Sequence, residues 1–121
     1  MANEIRYSVA LLASKSGADI DSGTLTDTVN MTGNDVMAAT QNIGTSNEAI
    51  DVASITGDCR IIIQNLDVTN YVEVFKDNAN AHLLSKLSPG EACLLTQVPS
   101  ASLYARANTS ACDVMIWACE I

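Results

Sequence analysis

Hydrophobic and polar residues alternate with a period of two along most of the chain, which is the pattern of β-strands with one exposed face. The first half shows this alternation over residues 5–11, 20–29 and 50–54. Residues 35–43 (DVMAATQNI) fit either two helical turns or a strand, and both alternatives stay open at this level. No segment has the length and apolar spacing of a long amphipathic helix. The pattern therefore predicts an all-β chain.

The second half has stronger strand signals, separated by polar turns at 65–70 and 77–80. It predicts strands at 59–64, 71–75, 92–98, 103–107 and 112–119, and the last of these is apolar on both faces. In the tetrapeptide 88–91 (SPGE), Pro89 followed by Gly90 indicates a type II turn. Turn signals that recur roughly every 8 to 12 residues are typical of an antiparallel β-sandwich or barrel. We expect a single jelly-roll-like β-sandwich domain over residues 1–121.

The inward positions of these runs define the expected hydrophobic core. Trp117, within the apolar run VMIWAC, is assigned to the core rather than to a ligand contact. The other predicted core residues are Leu66, Val72, Val74, Leu87, Leu94, Val114 and Ile116.

Composition narrows the class of protein. The chain has 121 residues, of which 48% are hydrophobic, so it can bury a core without a disulfide or metal. Its formal net charge of -8 disfavours nucleic acid and anionic membrane as partners, since both repel acidic proteins. Its apolar runs are too short to span a bilayer, and the beginning of the sequence lacks the basic start and long apolar stretch of a signal peptide. We expect a protein made and initially retained in a cytosol.

Four cysteines and one histidine are the candidate ligands for a structural zinc site. Cys59, Cys93, Cys112 and Cys119 have no C-x-x-C spacing, and His82 is the single histidine. A site of three cysteines and His82 is arithmetically possible, but the cysteines lie mostly inside apolar runs. We expect reduced, buried thiols that act as small hydrophobes.

Other candidate chemistry is weak. The segment 19–23 (DIDSG) resembles the start of a calcium loop, but Gly23 and Asn30 occupy the wrong loop positions, which favours a surface turn. Asn65, Asp67 and Asn70 are oxygen ligands in principle, and turn hydrogen bonds explain them more simply. His82 has no nucleophile motif nearby. We expect no catalytic, cofactor-binding or metal-binding residues, and no enzyme activity.

Turn motifs in the second half resemble a pattern found in small virion proteins of tailed bacteriophages. The resemblance covers most of the chain and is best over residues 57–107. Upstream, the segments 31–33 and 41–45 add to it. The residues that carry it are Gly57, Ile61-Ile62-Ile63-Gln64-Asn65-Leu66-Asp67, Thr69-Asn70-Tyr71-Val72-Glu73-Val74, Lys86-Leu87, Pro89-Gly90-Glu91, Tyr104 and Ala107.

The resemblance implies a jelly-roll-like β-sandwich that forms part of a phage particle, and it implies no catalytic or ligand residues. The leading hypothesis is a cement or decoration protein that binds the major capsid protein from outside and self-associates as a trimer or dimer. The alternatives are a tail, neck or fibre-associated virion component, and a receptor- or glycan-binding β domain.

Overall fold

The computed structural model describes residues 4–79 and 81–121. Within those residues the chain is all-β and contains no helix, which confirms the predicted fold class. The predicted turn at 77–80 is present over Asp77–Ala79, and Asn80 lies outside the described residues. The strands are β1 Ile5–Val9, β2 Leu12–Lys15, β3 Ala18–Asp21, β4 Leu25–Val29, β5 Val36–Ile43, β6 Glu48–Ala49, β7 Asp58–Asn65, β8 Val72–Phe75, β9 Leu83–Leu87, β10 Ala92–Pro99, β11 Tyr104–Ala107 and β12 Cys112–Glu120.

The chain divides into two compact units, one ending at Thr32 and the other spanning Gly33–Ile121. In the first unit β1 pairs with β4, and β2 pairs with β3, both antiparallel. The two-residue connection Ser16-Gly17 has φ values of 50° and 90°, as a type I′ hairpin turn requires. Every residue of β2 and β3 is exposed.

The second unit is a sandwich of two four-stranded antiparallel sheets. Sheet I has the strand order β10-β7-β12-β5, and sheet II has the order β6-β11-β8-β9. Residues 35–43, which fitted helix or strand, form β5, because the long strand β12 pairs with β5 over eight consecutive residues. Tertiary pairing therefore settles a segment whose local preference is ambiguous.

Alternate residues of both sheets point inward and form the core. From sheet I these include Ile61, Ile63 and Ile116, which are almost fully buried. Val72, Val74, Leu87 and Val114, all predicted core residues, are also buried, as is Ile116. The complete cluster is Ile43, Ile50, Val52, Ile55, Cys59, Ile61, Ile63, Val72, Val74, Leu87, Leu103, Ala105, Ala107, Cys112, Val114, Ile116 and Ala118.

Two predicted strands differ in the structure: the stretch 20–29 is divided between β3 and β4, and the strand at 50–54 is absent. Residues 50–54 bury Ile50 and Val52, but the backbone turns there instead of extending. The Asp51 carboxylate accepts a hydrogen bond from the Ala53 amide at 2.8 Å, and Ala53 has a φ of 56°. An alternating pattern of burial can thus arise from a tight turn as well as from a strand.

Candidate interaction face

The outer face of sheet I carries a row of apolar side chains that crosses all four strands. Leu94 on β10 is opposite Ile62 on β7, and Ile62 is opposite Trp117 on β12. Trp117 is in turn opposite Ala38 on β5. At about 4.8 Å between neighbouring strands, these four residues, here called the apolar row, extend about 14 Å across the sheet.

Trp117 was predicted to lie in the core, and that prediction is wrong. Its side chain is 41% exposed on the outer face. The reason is alternation along β12, where Val114, Ile116 and Ala118 point inward and their neighbours point outward. The assignment of Val114 and Ile116 to the core already required Trp117 to lie on the opposite face, so the sequence did contain this signal.

Leu94 and Leu66 are two further corrections to the predicted core. Leu94 is half-buried on the outer face, because its neighbours Cys93 and Leu95 pack against the core instead. Leu66 is 44% exposed, and Val68 nearby is 89% exposed, since both lie in the loop after β7 rather than in a strand.

The outer face of sheet II is different, because a row of charges crosses its central strands. Arg106 on β11 is opposite Glu73 on β8, and Glu73 is opposite Lys86 on β9. Arg106 donates a hydrogen bond to the Glu73 carboxylate at 2.9 Å, and the Lys86 ammonium lies 4.1 Å from the centre of the Tyr71 ring. The row across sheet II is thus charged, as is typical of a solvated antiparallel sheet, whereas the row across sheet I is apolar. β9 of sheet II also exposes Leu83 and Leu84.

The loop between β7 and β8 is held by a buried asparagine. Asn65 is fully buried, and its side-chain amide donates hydrogen bonds to the carbonyls of Asn70 at 2.9 Å and Leu87 at 3.0 Å. Its side-chain oxygen accepts from the Asp67 amide at 2.9 Å. These bonds tie the 65–70 loop to the end of β9, so Asn65 serves the fold rather than a ligand.

Asp67 completes this loop. Its carboxylate accepts hydrogen bonds from the backbone amides of Asn70 at 2.6 Å and Thr69 at 2.9 Å. These two bonds stabilise the ionised form and hold the pKa of Asp67 below its ordinary value. The carboxylate oxygen that makes these bonds is engaged within the loop, as the turn interpretation of residues 65–70 predicts.

The predicted type II turn connects to the same loop. Gly90 has a φ of 83°, and the Glu91 amide donates to the Ser88 carbonyl at 3.0 Å, which confirms the turn. The backbones of Asn65 and the turn also exchange bonds, from the Asn65 amide to Glu91 and from the Gly90 amide to Asn65. Two of the motifs that carry the phage resemblance, the 65–70 loop and the 86–91 segment, are therefore parts of one turn assembly.

The remaining candidate groups make local hydrogen bonds, and Asp19 and Asp21 lie in β3, which pairs with β2, rather than in the expected surface turn. His82 is exposed, and its Nδ1 lies 3.4 Å from the Asp77 carboxylate. Burial raises the pKa of Asp77, but hydrogen bonds from the His82 and Ala81 amides outweigh it and leave that pKa below its ordinary value. In the segment that resembles a calcium loop, Asp19 accepts from the Ser14 hydroxyl and Asp21 from the Gly23 amide. An open hollow of about 480 Å³ lies beside these residues on the β2–β3 hairpin.

The four cysteines are free thiols distributed over both faces of sheet I. Cys59 and Cys112 point into the core, whereas Cys119 lies on the outer face, as the seven-residue spacing from Cys112 predicts. Burial raises the pKa of Cys59, Cys93 and Cys112. Across residues 4–79 and 81–121, no three His, Cys, Asp or Glu side chains come together as metal ligands.

Two observations complete the description of the chain. Within the described residues, none of the secondary structure is a helix capable of crossing a bilayer. No family model matches the chain, and no curated protein or solved structure matches it either. The outer face of sheet I, with the apolar row at its centre, is therefore the candidate functional surface that the structure itself defines.

Proposed function

We propose that this chain is a non-enzymatic structural protein of a tailed-bacteriophage particle. It acts as a cement or decoration protein that binds the major capsid protein, and its sandwich has a jelly-roll-like connectivity. It is made in the host cytoplasm and functions in the virion, without a cofactor, nucleic acid or membrane as partner. The observation that carries the proposal is the apolar row on the outer face of sheet I.

The apolar row supports protein binding for a physical reason. An antiparallel sheet that faces water on one side normally alternates apolar and polar residues, and the row of Arg106, Glu73 and Lys86 on sheet II follows that rule. Sheet I instead places Leu94, Ile62, Trp117 and Ala38 side by side across its outer face. Exposed apolar surface of this kind favours contact with another protein, and tryptophan is among the residues that contribute most to such contacts.

A lattice role requires only modest affinity from each copy. Symmetry repeats one contact many times over a capsid, so weak individual contacts add up to a stable coat. The four side chains of the apolar row carry no charge, so contact through this row does not depend on ion pairs. Binding through the apolar row should therefore survive raised salt, which screens exposed ion pairs but not apolar burial.

A glycan-binding domain is the second candidate, and the exposure of Trp117 favours it. Sugar-binding faces commonly present an aromatic ring as a platform, and Trp117 is a large aromatic side chain that is 41% exposed. A tail, neck or fibre-associated role remains an alternative location for the same protein-binding face. The number of copies per particle separates capsid from tail, since a capsid coat requires hundreds.

The test is co-sedimentation with capsid shells that have been stripped of this protein. Wild type should sediment with the shells at both low and high salt, and Trp117→Ala should weaken binding at least tenfold, as expected for a central aromatic contact. Lys86→Gln, on the outer face of sheet II, is the matched control and should bind as wild type does. Circular dichroism of each variant verifies that the fold is retained.

Failure of the wild-type protein to bind shells would refute the capsid role. Binding that is lost equally in both variants would refute the assignment of the apolar row as the contact surface. Binding to a glycan array that disappears in Trp117→Ala, without shell binding, would establish the second candidate instead.

A further inference from the structure

The strand at one edge of sheet I lacks the features that normally prevent further strand pairing. Edge strands are usually protected by shortness, charge, proline or bulges. β5 runs for eight residues, Val36–Ile43, with no charged residue and no proline, and it pairs with β12 without a register shift. Its free side is therefore a regular, uncharged edge.

The other sheet edges of the Gly33–Ile121 unit are protected. β10 contains Pro99, and its register shifts between Leu95 and Val98. β9 carries Lys86 and has an irregularity in its pairing with β8. β6 has only two residues. Among the edges in the described part of this unit, β5 alone combines length, regularity and lack of charge.

The backbone groups available on this edge follow from the pairing with β12. The Glu120 amide donates to the Asp35 carbonyl at 2.9 Å, so odd-numbered residues of this segment direct their backbone groups toward β12. Even-numbered residues then direct their N–H and C=O groups to the free side. These residues are Val36, Ala38, Thr40 and Asn42, all of which are exposed. Within residues 4–79 and 81–121, sheet I has no further strand beyond β5.

We infer that β5 pairs antiparallel with β5 of a second copy of this chain around a two-fold axis. An antiparallel pair is self-complementary, so one uncharged edge suffices for both partners. Because only the even-numbered residues of β5 direct their N–H and C=O groups to the free side, each must pair with an even-numbered residue of the second copy. The register with the most pairs of even-numbered residues places Val36 opposite Asn42, and Ala38 opposite Thr40, of the second copy. Four such pairs make about eight backbone hydrogen bonds.

Two properties of the molecule favour a second copy as the occupant. The pairing turns two four-stranded sheets into one eight-stranded sheet, and the apolar rows of both copies then lie on the same face. Ala38, which ends the row in one copy, meets Thr40 of the second copy, and Thr40 is itself opposite Met115. Moreover, two chains with a net charge of -8 repel each other. The electrostatic repulsion is smallest when they approach through an uncharged surface, and β5 is such an edge.

This inference gives a geometry to the dimer that is one of the two assemblies expected from the sequence, and it does not depend on capsid binding. Pairing of seven-residue edges buries less area than a standard stable interface, so the isolated dimer should be weak. Raised salt should strengthen it, because salt screens repulsion between the two acidic chains while backbone hydrogen bonds persist.

The experiment measures dimerisation by sedimentation equilibrium from about 1 μM to about 1 mM, the range in which weak interfaces are populated. Thr40→Pro removes an N–H on the free edge but no bond to β12, so the monomer should tolerate it. We expect this variant to dimerise at least tenfold more weakly than wild type. Thr40→Val is the matched control, because it keeps the N–H and the strand preference, and it should dimerise like wild type.

A second variant covers the case in which Thr40→Pro misfolds. Ala38→Lys lowers the net negative charge, which by itself would favour association, but it places a hydrated charge beside the two-fold axis. A weaker dimer in this variant would therefore reflect the edge rather than overall charge.

Amide hydrogen exchange gives a readout specific to strand pairing. As concentration rises, the amides of Val36, Ala38, Thr40 and Asn42 should become protected, whereas those of Met37, Ala39 and Gln41 should be protected throughout. A wild-type monomer across the whole range would overturn the inference, as would a dimer that leaves the even-numbered amides unprotected. Loss of shell binding in Trp117→Ala with an intact dimer would separate the capsid contact from this edge.

Discussion

Replacement of Asn65 by alanine should destabilise the second unit strongly, because this side chain is the buried centre of the turn assembly. Asn65→Ala removes the bonds to the carbonyls of Leu87 and Asn70 and the bond from the Asp67 amide. The backbone bonds of Asn65 with Gly90 and Glu91 remain, so the variant isolates the side chain.

The magnitude follows from the surroundings of the three partners. Leu87 is only 2% exposed, so its carbonyl loses its hydrogen bond where water has little access, at a cost of about 1 to 3 kcal/mol. Asn70 and Asp67 are half-buried, and water can replace the lost partner there, which limits each loss to about 0.5 to 1.5 kcal/mol. The sum of these ranges is about 2 to 6 kcal/mol, with a centre near 4 kcal/mol.

Urea denaturation followed by circular dichroism measures this loss. At a slope of about 2 kcal/mol/M, a loss of about 4 kcal/mol moves the unfolding midpoint by about 2 M. Asn34→Ala is the matched control, because Asn34 is exposed in the loop before β5, and its midpoint should barely change. A loss below about 1 kcal/mol in Asn65→Ala would refute the idea that this side chain holds the loop to β9.

Three further predictions address the turn, the carboxylate and the thiols. Gly90→Val should lower the free energy of unfolding, measured by urea denaturation, by about 1 to 3 kcal/mol. The cause is backbone strain alone, because Gly90 has a positive φ and a Cβ at this position would meet open space. Gly90→Asn should lose less, because asparagine tolerates positive φ. The pKa of Asp67 is lower in the folded than in the unfolded chain, so its stabilising effect is full above about pH 4 and is lost as pH falls through the folded pKa. The stability difference between wild type and Asp67→Asn should therefore shrink in acid, and a constant difference would contradict this. Alkylation of the unreduced, unfolded protein should give four labels, and two labels or none would reveal disulfides. In the folded protein, the buried Cys59 and Cys112 should be protected, and Cys119 should be modified before them.

The two outer faces of the sandwich carry rows of opposite chemistry. Sheet II exposes Arg106, Glu73 and Lys86, which keep that side hydrated. Sheet I exposes the apolar row and ends in an uncharged edge. In the function proposed above, the apolar row of sheet I faces the partner protein and the charged row of sheet II faces water.

Local sequence alone determined most of the strands and the main turn. Period-two patterning with β-branched residues marks β7 and β8, because these side chains favour extended backbone. The Pro89-Gly90 pair specifies the type II turn, because proline fixes its own φ and glycine accepts the positive φ that follows. The core prediction succeeded at Val72 and Val74 for the same reason, since their neighbour Glu73 must face outward.

Tertiary structure decided what local pattern leaves ambiguous. β5 is a strand because β12 pairs along its whole length, and no local preference required it. Alternation along β12 puts Ile116 and Trp117 on opposite faces, but β12 is apolar on both faces. Its place in sheet I, with sheet II on one side, determines which of the two is buried. The same holds for Asn65, a polar residue in a turn motif that becomes fully buried because β9 brings the Leu87 carbonyl to it. Burial depends on which elements pack against a face, and that is a property of the folded chain as a whole.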